Sequence, residues 1–206
     1  MRDKKKELKK LESEMESDKT LPLREANLVF GEGNIDCEVL FIGEAPGAKE
    51  DELKRPFVGR SGQLLDKNLE KIGWKRGDIY ITNIVKRRPP ENRDPSPDEI
   101  AAYKPYLTRQ IRIIDPKIIV TLGRFSMNYF LPEAKISRDQ GKIFKIGGKL
   151  LMPMFHPAAA LRGTVEMRDF EKTFRKLRKL AEKADELFAE ESLTRRPNSS
   201  INKPEL

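Results

Sequence analysis

The apolar run Val39-Leu40-Phe41-Ile42 leads directly into the loop Gly43-Glu44-Ala45-Pro46-Gly47. An apolar run that stops at glycine and proline is typical of a buried strand followed by a loop. In open α/β sheets ligands bind at the carboxyl edge of the strands, so this loop is a candidate binding site. The chain's only histidine, His156, follows a second apolar run at 150–155 and could lie on the same edge. The two strand ends suggest one pocket assembled from distant parts of the chain.

Strands alternate with helices along most of the chain. Further strands are predicted at 78–82 and 117–122, and Gly147-Gly148 predicts a two-residue turn between strands at 142–146 and 149–154. Apolar spacing predicts helices at 2–17, 61–72, 97–114, 124–130 and 166–188. Ser61 and Ser96 are the predicted N-caps of the second and third of these helices.

This alternation predicts an α/β fold in which a parallel sheet lies between two layers of helices. We expect a single domain over residues 1–189, since no linker or internal repeat interrupts the pattern. Residues 190–206 are polar and contain proline and serine, so we expect a disordered tail there.

The composition favours a polyanionic partner. The chain of 206 residues has 41 Lys and Arg against 33 Asp and Glu, a net charge of +8, and such a surplus favours nucleic acid. The alternative is a solvated surface rich in both signs, since 36% of the residues are charged. No apolar run approaches the roughly 20 residues that cross a bilayer, and no signal-peptide pattern is present, so we expect a cytoplasmic protein.

A single cysteine, Cys37, excludes an internal disulfide and any site made of clustered thiolates. It follows that a metal site of that kind is not expected. The simplest interpretation of Cys37 is a small buried apolar residue beside a strand.

Each motif that could carry chemistry also has a plain structural interpretation. The loop 43–47 lacks the Lys-Ser/Thr of a phosphate-binding P-loop and could be an ordinary βα loop. Phe57 lies between charged segments, where an aromatic ring either fills the core or meets a ligand. Asn83 ends a predicted strand, where its amide either points into a cleft or forms a turn. His156 precedes Pro157 and so marks a loop, but it could be a hydrogen-bonded structural residue.

A basic segment follows Asn83. Residues 86–93 are stiffened by proline and contain four cations, which could form a phosphate clamp or a solvated loop. These cations are Lys86, Arg87, Arg88 and Arg93.

Taken together, these motifs resemble the family 4 uracil-DNA glycosylases, within the wider uracil-DNA glycosylase superfamily. The resemblance rests on the loop 43–47, Arg55-Pro56-Phe57-Val58-Gly59, Thr82-Asn83, the segment 86–93 and His156-Pro157-Ala158, in the same order and spacing. It extends from about residue 29 to residue 180. It implies a three-layer α/β/α sandwich with a central four-stranded parallel sheet.

The resemblance also implies roles for individual residues. Phe57 would stack on an extruded uracil, Asn83 would bind the Watson–Crick edge of the base, and His156 would hydrogen-bond uracil O2. The loop 43–47 would supply backbone N–H groups at Gly43 and Ala45, and would place Glu44 near the sugar and the attacking water. The DNA would be contacted by Lys86, Arg87, Arg88 and Arg93, with Leu161 or Arg162 filling the gap left in the duplex.

The implied activity is the repair of uracil-containing DNA, single- or double-stranded. A monomeric hydrolase would break the N-glycosidic bond and leave an abasic site, without a lyase step and without a membrane partner. Two alternatives stay open: a glycosylase for another deaminated base such as hypoxanthine or xanthine, and a DNA-binding relative that performs no chemistry.

One departure from the family concerns its cofactor. Family 4 enzymes hold a [4Fe-4S] cluster on four cysteines, and the matching positions here are Asp18, Leu21, Arg87 and Tyr103. Because a lone cysteine cannot hold such a cluster, we expect no cofactor and no metal.

Overall fold

The strand β2 (Val39–Gly43) is buried along its whole length, and its side chains alternate between two faces of a sheet. Val39 and Phe41 pack into one hydrophobic cluster, whereas Leu40 and Ile42 pack into another. The computed structural model describes residues 3–194, with side chains as far as residue 188. In this part of the chain the strand is the centre of a six-stranded sheet.

Four parallel strands form the middle of the sheet, in the order β3 (Tyr80–Asn83), β2, β4 (Ile118–Leu122) and β6 (Lys149–Met154). An antiparallel strand closes each edge: β1 (Glu32–Gly33) pairs with β3, and β5 (Phe144–Ile146) pairs with β6. The predicted hairpin at Gly147-Gly148 is confirmed by the pairing of β5 with β6. The predicted four-stranded parallel core is confirmed as well.

Helices cover both faces of the sheet. They are α1 (Lys4–Ser17), α2 (Ala48–Leu53), α3 (Arg60–Lys71), α4 (Pro97–Ile114), α5 (Arg124–Phe130), α6 (Ile136–Asp139), α7 (Pro157–Ala160) and α8 (Thr164–Thr194). Two short 3₁₀ turns lie at Arg76–Asp78 and Pro90–Asn92. Buried residues of α3 and α8 pack on one face of the sheet, and those of α1 and α4 pack on the other. The three-layer α/β/α sandwich is therefore confirmed.

The helix starts show which capping predictions were correct. The Ser96 hydroxyl accepts a hydrogen bond from the Glu99 N–H, and the Glu99 carboxylate accepts one from the Ser96 N–H at 2.7 Å, which is the predicted cap of α4. The prediction for Ser61 was wrong. The N-cap of α3 is Gly59, two residues earlier, so the helix begins at Arg60 and Ser61 lies in its first turn.

The last helix is longer than predicted. Because α8 continues to Thr194, residues 190–194 are helical and the predicted start of the disordered tail was wrong. Residues 195–206, the rest of that predicted tail, lie outside the described residues. Among residues 3–194, no helix combines the length and the apolar character needed to cross a bilayer.

The topology places four strand ends at one edge. Because β3, β2, β4 and β6 are parallel, the segments after Asn83, Gly43, Leu122 and Met154 all emerge on the same side of the sheet. Gly123 follows β4 with φ +94°, and a Cβ atom there would lie 3.0 Å from the Cβ of His156. A glycine is therefore needed at this point for His156 to approach the neighbouring strand end.

Candidate active site

A cavity of about 570 Å³ opens at this carboxyl edge of the sheet. Its walls come from the loop after β2, the loop that contains Phe57, the end of β3, the start of α5 and the segment after β6. Of the six residues predicted to act in catalysis or to bind the base, five line it together: Glu44, Ala45, Phe57, Asn83 and His156. The structure thus assembles one pocket from strand ends that are distant in the sequence.

Phe57 belongs both to the core and to the cavity wall. Its side chain packs into the hydrophobic cluster on the α3–α8 face and is 5% exposed, while it also lines the cavity. The centre of its ring lies 5.9 Å from that of His156, with an angle of 37° between the ring planes. The ring therefore fills the core, as one interpretation predicts, and it also forms part of the cavity wall.

Gly43 sets the distance between the ring and the amide. A Cβ atom at Gly43 would lie 2.5 Å from Cζ of Phe57 and 2.4 Å from Oδ1 of Asn83. Any side chain at this position would therefore push the ring and the amide apart. The glycine lets both groups pack against the end of β2.

Asn83 presents an unpaired acceptor. Its side chain is 1% exposed, and its Oδ1 atom is buried without a hydrogen-bond partner among the described residues. Leaving a buried acceptor unpaired costs about 1–3 kcal/mol, so such a group in a cavity wall is suited to a ligand that donates a hydrogen bond. The turn-forming interpretation fits less well, since a turn would use this oxygen.

The tautomer of His156 follows from its position as the N-cap of α7. Its Nδ1 atom accepts a hydrogen bond from the Ala158 N–H at 3.1 Å. Burial, aided by the nearby positive charge of Arg162, lowers the pKa of His156 to about 4. The ring is therefore neutral at pH 7 and carries its proton on Nε2, which is free to donate a hydrogen bond.

The pKa of Glu44 is raised, whereas that of His156 is lowered. Burial, and after it the nearby negative charge of Asp94, raise the pKa of Glu44 to about 7, although Arg124 opposes the shift. A carboxyl group whose pKa lies near 7 can take up and release a proton at neutral pH. The loop that carries it is fixed to the chain after β3, because Gly43 and Glu44 accept backbone hydrogen bonds from Ile84 and Val85 at 3.0 Å.

The basic segment 86–93 does not form the predicted clamp. Lys86 is 0% exposed, and its ammonium group donates to Gln110 at 2.6 Å and to Thr82. Burial lowers its pKa well below the usual value. Arg87 is also buried and donates to the Glu16 carboxylate at 2.6 Å and to the Ala26 carbonyl. The prediction that these two residues contact DNA was wrong, because both cations point into the protein.

The other predicted DNA-binding residues lie at the surface. Arg93 pairs with Glu99 at 2.6 Å and lines the cavity, as does the exposed Arg162. Leu161 at the end of α7 is 40% exposed, which is unusual for a large apolar side chain. Arg88 is half-buried and donates to the side chain of Asn92 at 2.7 Å.

The sequence analysis missed three charged residues of the cavity wall. Arg124 and Asp94 form an ion pair at 2.6 Å that joins the start of α5 to the chain before α4. Glu50 reaches the cavity from α2. Arg124 could have been found, since it follows Gly123 at a predicted strand end, but no sequence signal distinguished Glu50 or Asp94.

The positions that match the family's cluster ligands are filled by packing and hydrogen bonds. Leu21 is buried, and the Tyr103 hydroxyl donates to the carbonyl of the adjacent Pro22 at 2.9 Å. Tyr103 also interacts with Arg87, while Asp18 accepts a hydrogen bond from Tyr106 at 2.6 Å. This set holds no thiolate and does not fit an iron–sulfur cluster.

Cys37 lies elsewhere, buried beside the start of β2, and burial raises the pKa of its thiol to about 11. Among the described residues, no group of three or more His, Cys, Asp or Glu side chains is placed to hold a metal ion.

Comparisons with known proteins show the family of the chain. The sequence model of the Uracil DNA glycosylase superfamily matches residues 30–178. The Type-4 uracil-DNA glycosylase of Sulfurisphaera tokodaii is 45% identical over 188 residues, which cover 84% of each chain. That of Thermotoga maritima is 46% identical over 69% of this chain and 76% of its own, and that of Saccharolobus solfataricus is 47% identical over 74% and 75%. On this evidence the chain belongs to the uracil-DNA glycosylase superfamily, and within it to the type-4 family.

Proposed function

We propose that this protein removes uracil from DNA by hydrolysing its N-glycosidic bond, and so leaves an abasic site. The observation that carries the proposal is the unpaired Oδ1 of Asn83, at the end of β3 in a cavity wall, where the amide and the Phe57 ring both pack against Gly43. The names of the type-4 relatives support the same activity.

The base must first leave the duplex. Extrusion of a nucleotide costs a few kcal/mol, and stacking on an aromatic ring contributes about 1–3 kcal/mol per base. Phe57 would supply that stacking, since its ring lines the cavity and is held against Gly43 and His156. The exposed Leu161 would fill the space that the base vacates.

Asn83 would distinguish uracil from cytosine. Uracil offers N3–H as a donor and O4 as an acceptor, and one side-chain amide can satisfy both. Cytosine offers the reverse pattern, an unprotonated N3 and an amino group, so that the amide would be mismatched twice. A site with such a buried mismatch can reject the wrong base by about 10⁴-fold.

His156 would stabilise the departing base. Breaking the bond between C1′ and N1 leaves negative charge on the uracil, and part of that charge is on O2. The Nε2–H of the neutral ring would donate to O2, and this bond strengthens as the charge develops. Because the pKa of His156 is about 4, the ring is a neutral imidazole at pH 7, and the group that donates to O2 is its Nε2–H.

Glu44 would act on the water that attacks the sugar. Its pKa of about 7 leaves a substantial ionised fraction at neutral pH, and the ionised carboxylate can accept a proton from water. The same negative charge would stabilise the positive charge that develops on the sugar. The N–H groups of the loop 43–47, at Gly43 and Ala45, would contribute to binding the base.

DNA contacts are proposed for the surface residues only. Arg93 and Arg162 line the cavity, and Arg88 lies on the same loop as Arg93, so these three would bind phosphates. Lys86 and Arg87 are left out because they are buried. We propose that the protein acts as a monomer, since one chain supplies every residue of the pocket.

The direct test is an abasic-site assay on oligonucleotides that carry uracil, hypoxanthine, xanthine or thymine at one position. We expect strand cleavage after alkali for the uracil substrate alone. We expect no cleavage before alkali, because no lysine lines the pocket among the described residues, and a lyase step would need one. Release of hypoxanthine or xanthine without uracil would assign the protein to another deaminated base. Binding to DNA without release of any base would make it a non-catalytic relative.

The variant Asn83→Asp tests how the base is recognised. An ionised aspartate offers only acceptors, so one of its oxygens would face uracil O4, and uracil release should slow by about 10²-fold or more. The exposed Asn34 lies outside the cavity, and Asn34→Asp makes the same chemical change as a control. Wild-type rates in Asn83→Asp would show that another residue recognises the base.

The protonation of His156 can be measured directly, since it is the only histidine in the chain. Nitrogen-15 NMR of the imidazole should show a neutral ring with the proton on Nε2 and no titration between about pH 5 and pH 8, because the pKa is about 4. His156→Ala identifies the signals by their loss. A midpoint near the ordinary value of about 6.5, or a proton on Nδ1, would contradict the proposed role.

We also propose that the protein functions without an iron–sulfur cluster, since Asp18, Leu21, Arg87 and Tyr103 replace the ligands. Protein purified without oxygen should be colourless and free of stoichiometric iron, and incubation with iron and sulfide should change neither its spectrum nor its rate of uracil release. Stoichiometric iron together with visible absorption would contradict this proposal.

A further inference from the structure

Phe57 is held in an unfavourable backbone conformation. Its φ angle is +52°, in the left-handed region that residues other than glycine seldom adopt. Such conformations persist where surrounding contacts hold them, and they often mark functional sites. The ring that lines the cavity is therefore placed by a strained segment of chain between α2 and α3.

Glu50 holds the chain that follows the ring. One carboxylate oxygen, Oε1, accepts hydrogen bonds from the backbone N–H groups of Val58 at 2.9 Å and Gly59 at 2.7 Å. Hydrogen bonds to an ionised acceptor are stronger than those between neutral groups. Because α2 starts directly after the loop 43–47, Glu50 ties that loop to the segment that carries Phe57.

Arg76 holds the peptide groups on both sides of Phe57. Its guanidinium donates to the Phe57 carbonyl at 3.1 Å and to the Pro56 carbonyl. The same group is fixed by Glu32 at 2.6 Å and Asp66 at 2.9 Å.

Helix α3 packs against the Phe57 carbonyl group at Gly62. A Cβ atom at Gly62 would lie 1.7 Å from the Phe57 oxygen, so only glycine permits this contact. The peptide groups before and after Phe57 are thus both fixed by partners from other elements.

We propose that Glu50 is a positioning residue that acts through Phe57, by fixing the N–H groups of Val58 and Gly59 so that the ring faces the extruded base. The inference rests on the proposed function, since the base is the ligand of the ring. A group misplaced by about 1 Å in an active site can cost about 10²-fold in rate. Arg76 adds to this by binding the carbonyl of the same Phe57–Val58 peptide group and the carbonyl of Pro56.

Glu50 also carries a charge near His156, whose pKa it acts to raise. Its carboxylate could therefore influence the reaction through that charge. Glu50→Gln separates the two effects, since glutamine keeps an oxygen of similar reach that can accept from both N–H groups but has no charge. Glu50→Ala removes both the acceptor and the charge.

The test is a double-mutant cycle on single-turnover uracil release with Glu50→Ala, Phe57→Ala and the double variant, together with Glu50→Gln. We expect Glu50→Ala to slow release by about 10- to 100-fold, and Glu50→Gln to stay within a few-fold of the wild type. The double variant should be no slower than Phe57→Ala, because Glu50 acts through the ring. Glu52→Ala is the matched control, since Glu52 lies on the same helix and, within the described part of the chain, pairs with the exposed Lys49 at 2.8 Å.

Two kinetic results would overturn the proposal: a loss in Glu50→Gln as large as that in Glu50→Ala, or losses from Glu50 and Phe57 that multiply in the double variant. Amide hydrogen exchange gives a readout that needs no activity. Exchange at Val58 and Gly59 should accelerate in Glu50→Ala and stay unchanged in Glu52→Ala, and unchanged exchange in Glu50→Ala would refute the positioning. If the wild type releases no uracil, the proposed function fails, and exchange at these two amides still decides whether Glu50 fixes the segment.

Discussion

The pocket depends on the absence of a side chain at Gly43, where β2 ends. At this point the Phe57 ring and the Asn83 amide approach the backbone so closely that a methyl group would lie within 2.5 Å of atoms of both. Such a contact cannot be relieved by a small rotation, since the ring is held by the fixed segment around Phe57 and the amide lies at the end of β3. The Phe57 ring and the unpaired Oδ1 of Asn83 can therefore lie close together only because residue 43 is a glycine. Gly123, which follows β4, likewise lets His156 approach the backbone closely.

Much of the fold could be predicted because the strands are strongly patterned. Runs such as Val39 to Ile42 and Ile118 to Leu122 are buried on both faces and leave little ambiguity. The strand β1 was not predicted as a member of the sheet, because two residues cannot show a period. The start of α3 was misplaced since Gly59 at the N-cap carries no side-chain signal, whereas Ser61 looks like a cap.

The same reasoning succeeded for some site residues and failed for others. Glu44, Asn83 and His156 follow apolar runs, so their place at the sheet edge could be inferred from the parallel topology. The direction of a side chain could not be inferred. Lys86 and Arg87 look like a basic surface in the sequence, but their partners Gln110 and Glu16 lie 24 and 71 residues away and draw them inward. Glu50 was missed for a similar reason, since its role lies in its contacts with backbone N–H groups of another segment.

We propose above all that the pocket is already arranged to bind an extruded uracil. A crystal structure of the protein soaked with free uracil tests this claim most directly. We expect the base to stack on Phe57, with its N3–H donating to Asn83 Oδ1 and its O2 accepting from His156 Nε2. Gly43 and Phe57 should not move. Uracil bound elsewhere, or bound in the cavity with Asn83 Oδ1 still unpaired, would contradict it.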